Sequence, residues 1–472
     1  MGDASADLDA RVAAMLARQV EGFRSLRSLE RLSGGASQAT YRVVAQTDGG
    51  EQTFALRRAV ARDGTSFSTT PGPATEAHLM RAAREAGVPE PRVHHVLEDA
   101  DDLGEGFLME WLAGETLGAK IARAPELEAV RPKLAFACGE ILARIHGIDV
   151  EKTGLSDRLG TLPPEQYVRM TWEGYKRFET AQPMIDFTAR WLLDHLPDAG
   201  DLRLVHNDFR NGNLMVGPGG IVAVLDWELA HIGDPMRDLG WLCTNSWRFG
   251  VREREVGGFG DRADLFRGYE SVSGTPVDPG HVRFWEVFGS FWWSVGCLQM
   301  AQQYRTGADQ SVERAAIGRR SSECQVDCVN LLIPGPVTVA GPVADRGDFE
   351  MPRADELLTS VREFLRGDVM EQTRGRSQFL ARVASNSVDV VRRELALGPA
   401  ARAAELAGLQ ALFDGSDDLS AQRWRLVHAL REGKLPLDHP GLAEVLREAV
   451  VNQVAIDQPK YSGFRHAVSR SR

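Results

Sequence analysis

The residues best suited to chemistry form one string, Val205-His206-Asn207-Asp208-Phe209-Arg210-Asn211-Gly212-Asn213, followed by Ala223-Val224-Leu225-Asp226-Trp227-Glu228. This is an HxDxxxxN pattern, a short connection, then an aspartate ending an apolar strand. Phosphoryl transfer needs these types at this spacing. One carboxylate must orient an acceptor hydroxyl or receive its proton, and Asp208 suits that role. An amide oxygen and a second carboxylate, Asn213 and Asp226, then hold metal ions against nucleotide phosphates. Asn213 lies one turn of loop beyond Asp208, and Asp226 on the next strand faces both across a hairpin. His206 joins Asp208 in the catalytic set as a brace for the loop rather than a proton carrier. The plain alternative is a polar hairpin with capping Asn and Asp residues. Two linked elements in strand–loop–strand context favour chemistry.

Upstream, Leu32-Ser33-Gly34-Gly35-Ala36-Ser37-Gln38-Ala39-Thr40-Tyr41 places small residues between two strands. Gly34, Gly35 and Ser37 let backbone N–H groups approach phosphates closely. No GxxxxGK[ST] occurs and no helix follows the second strand, so neither a P-loop nor a dinucleotide fold fits. Arg57 in FALRR and Glu76 in PATEAHLM supply a strand cation for phosphates and its partner on the following helix. The alternative is a surface arginine and a solvated glutamate; their order in the chain favours the pair. A metal hydrolase built on His206, Asp208, Asp226 and His231 leaves the glycine-rich loop, Arg57 and Glu76 unexplained.

Positioning these residues requires a small sheet and then helices. Leu8, Val12, Met15, Leu16, Val20 and Phe23 share one face of a helix predicted over 8–26. Two strands follow, separated by a turn at Thr47 to Gly50, then a helix over 73–87 and strands around 92–97 and in GEGFLMEWLAGETL. From Pro132 onward helices dominate, interrupted by LRLVHND and GIVAVLDWE. The aromatic positions 284, 285, 288 and 291 to 293 read as helix core, with Trp292 or Trp293 available to an apolar substrate. His146 reads as a packed or capping residue. The Pro- and Gly-rich stretch near 333–353 reads as a linker. The expected segments are therefore 1–113, 114–333, a linker at 334–353, and helices over 354–472.

Composition excludes several classes. The 472 residues are 43% hydrophobic and 26% charged, with net charge -11 and no clustered Lys or Arg. A nucleic-acid groove and a polybasic membrane patch are therefore not expected. No apolar run reaches transmembrane length, and the acidic amphipathic N-terminus is no signal peptide. The five cysteines form no metal or redox motif and read as reduced and structural. A cytoplasmic protein is expected.

Residues 29 to about 330, and above all HNDFRNGN…VLDWELAHIGDPMRDLGWL, resemble the aminoglycoside phosphotransferase/choline kinase family. Within it the wording resembles a branch of kinase domains fused to, or accompanying, acyl-CoA dehydrogenases. The resemblance implies an α+β, protein-kinase-like two-lobe fold, a small antiparallel sheet lobe plus a larger mainly helical lobe. An all-α C-terminal domain follows. It implies ATP and Mg²⁺ as cofactors, with Asp208 as catalytic base and Asn213 and Asp226 as Mg²⁺ ligands. Asp238 would brace the catalytic loop and Asp234 cap the next helix. Met109 to Gly114, including Glu110 and Leu112, would be the hinge that meets adenine. Many kinases carry lysine where Arg57 stands, and the branch carries arginine. The implied acceptor is a small-molecule alcohol, and the branch points to a hydroxyacyl group or its CoA thioester. A catalytically weak pseudokinase, a nucleotide-binding scaffold, is the alternative. Residues 354–472 resemble an uncharacterised domain and are the candidate surface for a protein partner or self-association.

Overall fold

The computed structural model describes residues 2–32, 38–59, 71–198, 200–343, 351–413, 415 and 418–470. Gly34, Gly35 and Ser37 lie outside the described residues. The chain forms two compact units: Met1–Pro163, Ala199–Cys243 and Trp247–Trp285 in the first, Pro164–Asp198, Thr244–Ser246 and Glu286–Arg472 in the second. These bounds differ from the four segments read from the sequence.

The first unit opens with α1 (Gly2–Gln19), which buries Val12, Met15 and Leu16. The helix stops earlier than the predicted 8–26. Gly22 takes φ +69°, the left-handed region glycine enters freely, and the chain turns into β1 (Phe23–Arg31). Phe23, Leu26 and Leu29 are three apart and so mimic a helix face. Register shifts between Phe23 and Ser25 and between Leu26 and Ser28 re-phase the strand, and all three still pack on the α1 core. Then come β2 (Gln38–Thr47), β3 (Gly50–Ala59), α2 (Pro73–Glu85), β4 (Val93–Val96) and β5 (Gly106–Glu110). The strands form one antiparallel sheet in the order β1-β2-β3-β5-β4. Val43, Ala45, Phe54, Leu56 and Leu108 meet the α1 face.

Beyond β5 the backbone is clipped to a segment distant in the chain. Glu115 N donates to Val216 O at 2.8 Å and Val216 N to Glu115 O at 2.9 Å. A Cβ on Gly114 would lie 2.5 Å from Met215 Cγ, so only glycine permits that approach. Helices α3 (Gly118–Arg123) and α4 (Arg131–His146) continue this unit, whereas α5 (Pro164–Lys176) and α6 (Pro183–Asp194) belong to the second. Four short strands follow: β6 (Arg203–Val205), β7 (Leu214–Gly217), β8 (Gly220–Val224) and β9 (His231–Gly233). LRLVHND and GIVAVLDWE do not pair with each other. A two-residue turn closes β7 on β8, and β6 pairs with β9 outside it. Helices α7 (Met236–Cys243) and α8 (Arg262–Ser273) complete the unit with the start of α9 (Pro279–Thr306).

The second unit is helical: α5, α6, α9 from Glu286, α10 (Val312–Arg319), α11 (Ser321–Leu332), α12 (Ala354–Phe364), α13 (Met370–Gln372), α14 (Gly375–Leu412), α15 (Leu419–Arg431), α16 (Leu442–Asp457) and α17 (Ser462–Ser469). Met184 and Phe187 of α6 share one core with Leu409, Leu426, Leu442 and Val451, which is why α6 groups with the C-terminal helices. Residues 334–343 have neither helix nor strand, yet they are laid along α16. Asn452 accepts from Ala340 N at 2.7 Å and donates to Thr338 O at 3.1 Å, and Arg447 donates to Pro336 O at 2.8 Å. Phe284, Trp285, Phe288 and Phe291 are buried, in keeping with a core role. All five cysteines are buried and none forms a disulfide, with burial pushing the Cys328 thiol up to about 12. Among the described residues no helix is long and apolar enough to cross a membrane.

Candidate active site

The loop between β6 and β7 carries Asp208, and three side chains fix its carboxylate. Oδ1 accepts from Trp241 Nε1 at 2.9 Å and from Arg210 Nε at 2.9 Å. Oδ2 accepts from Asn213 Nδ2 at 2.6 Å, and the same amide donates to Asp208 O at 3.0 Å. Two acceptors on one nitrogen settle which way the Asn213 amide faces, with Oδ1 turned away from Asp208. The Arg210 guanidinium lies 4.2 Å over the Trp247 ring, and the Trp241 and Trp247 rings meet edge-on at 5.0 Å.

Beneath this loop Asp238 acts as a hub. Its Oδ2 accepts from His206 N at 2.9 Å and its Oδ1 from Asn207 N at 2.7 Å, while His146 Nε2 lies 3.0 Å from Oδ2. Burial alone would raise the Asp238 carboxyl; the His146 hydrogen bond and charge, and the donors of the loop, hold it below the usual carboxylate range. Asn207 sits at φ +65°, a strained turn that these backbone bonds pin in place. His206 is fully buried, and burial lowers its imidazole below the ordinary histidine range despite Asp238, Asp208 and Asp226. The neutral ring accepts the Asp208 N–H at Nδ1, 3.2 Å away. His206 is thus built into the loop, and Asp234 caps α7 by accepting from Met236 N at 2.9 Å.

The third component joins sheet to loop. Arg57 on β3 lies 3.0 Å from Glu76 Oε1 through Nη1 and donates to Asp226 Oδ1 at 2.6 Å through Nη2, while Nε donates to Gln38 Oε1. Gln38 Nε2 in turn donates to Glu76 Oε2 at 3.0 Å. Burial would lower the Arg57 pKa, but Glu76 and Asp226 raise it above the ordinary value. Burial pushes the Glu76 carboxyl upward, with Arg57 opposing. Asp226 lies two residues past β8 at φ +71°, not on the strand itself, and its side chain is 31% exposed. Leu225 N donates to Asn213 O at 2.8 Å, which ties the Asp226 turn to the Asp208 loop.

Asp208, His206, Asn213, Asp226, Arg57 and Glu76 are therefore brought together through contacts or shared partners. Glu110 and Leu112 stand apart from that network. They border a recess of about 420 Å³ with Arg84, Pro89, Glu90 and Val222. Arg58 turns away from Arg57 and donates to Leu103 O at 2.7 Å. His231 is half-buried on β9, where desolvation lowers it to about 4, and its Nδ1 lies 3.1 Å from Leu229 O. Among the described residues no three His, Cys, Asp or Glu side chains cluster as a metal centre. Sequence reasoning missed Gln38, Arg210, Trp241 and Trp247. Gln38, Arg210 and Trp241 stand inside the strings already singled out, but Trp247 carries no signal beyond proximity in the fold.

Residues 28–274, more than half of the chain, match the model of the phosphotransferase enzyme family, APH. The chain belongs to this family. Residues 371–461 match a domain of unknown function, DUF6285. A solved structure from Ralstonia eutropha, assigned as an aminoglycoside phosphotransferase, superposes with TM-score 0.55 at 26% identity, covering 68% of this chain and 97% of that one. The fold is kinase-like, with a five-stranded antiparallel sheet and a helical remainder. Acyl-CoA dehydrogenase family member 10 of Mus musculus is 37% identical over 176 residues, covering 36% of this chain and 16% of that protein. Acyl-CoA dehydrogenase family member 11 of Gallus gallus is 31% identical over 175 residues, covering 35% and 22%. The matched stretch is less than a quarter of the length of either relative.

Proposed function

We propose that this chain is an ATP- and Mg²⁺-dependent small-molecule kinase that transfers the γ-phosphoryl group to an alcohol. The observation that carries the reading is the convergence of Asp208, Asn213 and Asp226 with the Arg57–Glu76 pair. Asp208 orients the acceptor hydroxyl; as its oxygen bonds to the γ-phosphorus and the bond to ADP breaks, the hydroxyl proton passes to Asp208. Trp241 and Arg210 hold one carboxylate oxygen and the Asn213 amide the other, so the carboxylate meets the acceptor in a fixed orientation. Arg57 meets the nucleotide phosphates and Glu76 holds it there. The donor set suits Mg²⁺: Asn213 Oδ1 is turned away from Asp208 and Asp226 is part-exposed, two hard oxygens that leave room for phosphate oxygens. When bound, the metal neutralises phosphate charge. The hinge role of Glu110 and Leu112 and the phosphate role of Gly34, Gly35 and Ser37 belong to the same proposal.

Two of the sequence relatives are acyl-CoA dehydrogenase family members. A hydroxyacyl compound or its CoA thioester is therefore the first acceptor class to try. One observation favours the scaffold alternative: Arg57 already occupies Oδ1 of the metal-ligand candidate Asp226. The test is ADP release with Mg²⁺ against hydroxyacyl-CoAs, choline, sugars and aminoglycosides, with Asp208→Ala as control. Acceptor-stimulated release that vanishes in the variant is the expected result. Nucleotide binding without turnover on any acceptor would favour the scaffold, and no nucleotide binding would overturn both.

A further inference from the structure

The second unit contains a recess of about 520 Å³ that plays no part in the site above. Its walls come from the loop before α6, from α9, α10 and α11, and from α14, α15 and α16. That volume is in the range of small-molecule pockets. The floor is Leu298, Leu409, Leu426, Leu446 and Val450, and four of these five belong to the buried core of the unit. A floor made of core side chains is rigid and apolar before any ligand arrives.

The rim is charged, and its sign is the reverse of the chain's. Among the described residues lining it, Arg305, Arg319, Arg402 and Arg423 face two glutamates, Glu394 and Glu405, in a protein of net charge -11. The glutamates hold the arginines in place. Glu405 takes a two-point pair from Arg423, at 2.6 Å through Nε and 2.5 Å through Nη2. Glu394 lies between Arg319 and Arg402, 2.6 Å from each, and Arg319 also reaches Asp457 at 2.7 Å. Arg305 has no carboxylate partner among the described residues. Counting Asp457, the rim still carries excess positive charge. Arg402 lines the recess and is bonded to Glu394 through Nη1, and a guanidinium fork suits a carboxylate or phosphate.

From this we infer that the recess is a binding site for an amphipathic organic anion, an apolar chain on the core floor with one carboxylate or phosphate head on the arginine rim. The ligand is separate from the nucleotide and from the acceptor of the proposed reaction.

The test is isothermal titration of the full chain with decanoate and with decyl phosphate, below micellar concentration. Decyltrimethylammonium and inorganic phosphate are the contrasting probes. One of the two anions should bind one-to-one, and the tighter of them names the head group. Val450→Trp, which fills the recess, should abolish that binding. Arg402→Gln and Arg305→Gln, at the half-exposed rim, should weaken it by roughly tenfold each without unfolding risk from the core. Asp208→Ala should leave it unchanged. Equal binding of decyltrimethylammonium would show a merely greasy recess and overturn the inference. So would equal binding of inorganic phosphate, no binding of either anion, indifference to both arginine variants, or loss of binding in Asp208→Ala, which would place the anion at the acceptor site.

Discussion

In the first unit buried charges converge; in the second they are dispersed. Asp208, Asp226, Asp238, Arg57, Glu76, His146 and His206 lie in one connected set around a single loop and its neighbouring turn. The second unit also buries charges, but each ties one helix to another. Asp186 on α6 takes Arg431 of α15 at 2.7 Å, Trp172 of α5 at 2.7 Å and Tyr175 at 3.2 Å. Asp457 takes Arg319, and Asp327 accepts from Tyr461 at 2.5 Å and Asn245 at 2.8 Å. A buried charge is costly wherever it stands. Where such charges are gathered with part-exposed oxygens, the arrangement is the one the proposed phosphoryl transfer needs. Where enclosed carboxylates are spread over several helices, each ties its helix to a neighbour.

The sharpest way to break this contrast is Asp208→Asn. If the convergent set is catalytic, acceptor-dependent ADP release falls by roughly 10²–10⁴-fold, since the amide cannot take the proton. Turnover at the parental rate would reduce the first unit's cluster to the same structural role as the second's. The matching variant in the second unit is Arg431→Ala. It leaves Asp186 enclosed without its cation, and about 3–5 kcal/mol of stability should be lost in denaturant unfolding, with nucleotide affinity unmoved. A fall in affinity instead would mean that the dispersed pairs also serve the site.

Arg57→Lys sharpens the comparison further. One guanidinium serves Gln38, Glu76 and Asp226 through three different nitrogens, and an ammonium cannot copy that fork. Nucleotide Kd should rise by roughly tenfold while the melting temperature moves little. If Kd is unchanged, Arg57 is a structural strut rather than a phosphate ligand.

How much of this was legible in the sequence depends on how local each feature is. The loop around Asp208, the Asp226 turn and the order of Arg57 and Glu76 are written in short strings, so spacing alone brings them forward. Trp241 closes the GDPMRDLGWL string, but that it and Trp247 reach Asp208 and Arg210 is set only by the fold. The β1 strand failed for a subtler reason. Phe23, Leu26 and Leu29 have helical spacing, and only irregular pairing with β2 keeps them on one side of a strand. The inner hairpin β7–β8 escaped notice because the apolar strings around it looked like partners for each other. In α6, periodicity reveals an apolar face but not which helices cover it; that Met184 and Phe187 join the C-terminal core is a long-range fact.

The smallest expected effect concerns a carboxyl at the edge of the convergent set. Glu90 is 3% exposed; its Oε1 accepts from Trp227 Nε1 at 3.0 Å, and Oε2 has no hydrogen-bond partner among the described residues. Burial pushes it well above the ordinary carboxylate range; the Trp227 N–H pulls the other way, and the Glu76 charge adds to the rise. The folded chain thus keeps a proton that the unfolded chain releases. The stability this contributes is complete below the unfolded value and drains away as pH rises towards the folded one, by up to about 1.4 kcal/mol per pH unit. Glu90→Gln keeps an acceptor for Trp227 and does not titrate. Its melting temperature, compared with the parent at pH 5 and pH 6, should therefore improve relative to the parent at the higher pH. Parallel pH profiles would mean that Glu90 is ionised in the fold, with a cation or water supplied to Oε2. The carboxyl that holds Trp227, the residue after Asp226, would then count among the charges of the site rather than among its neutral supports.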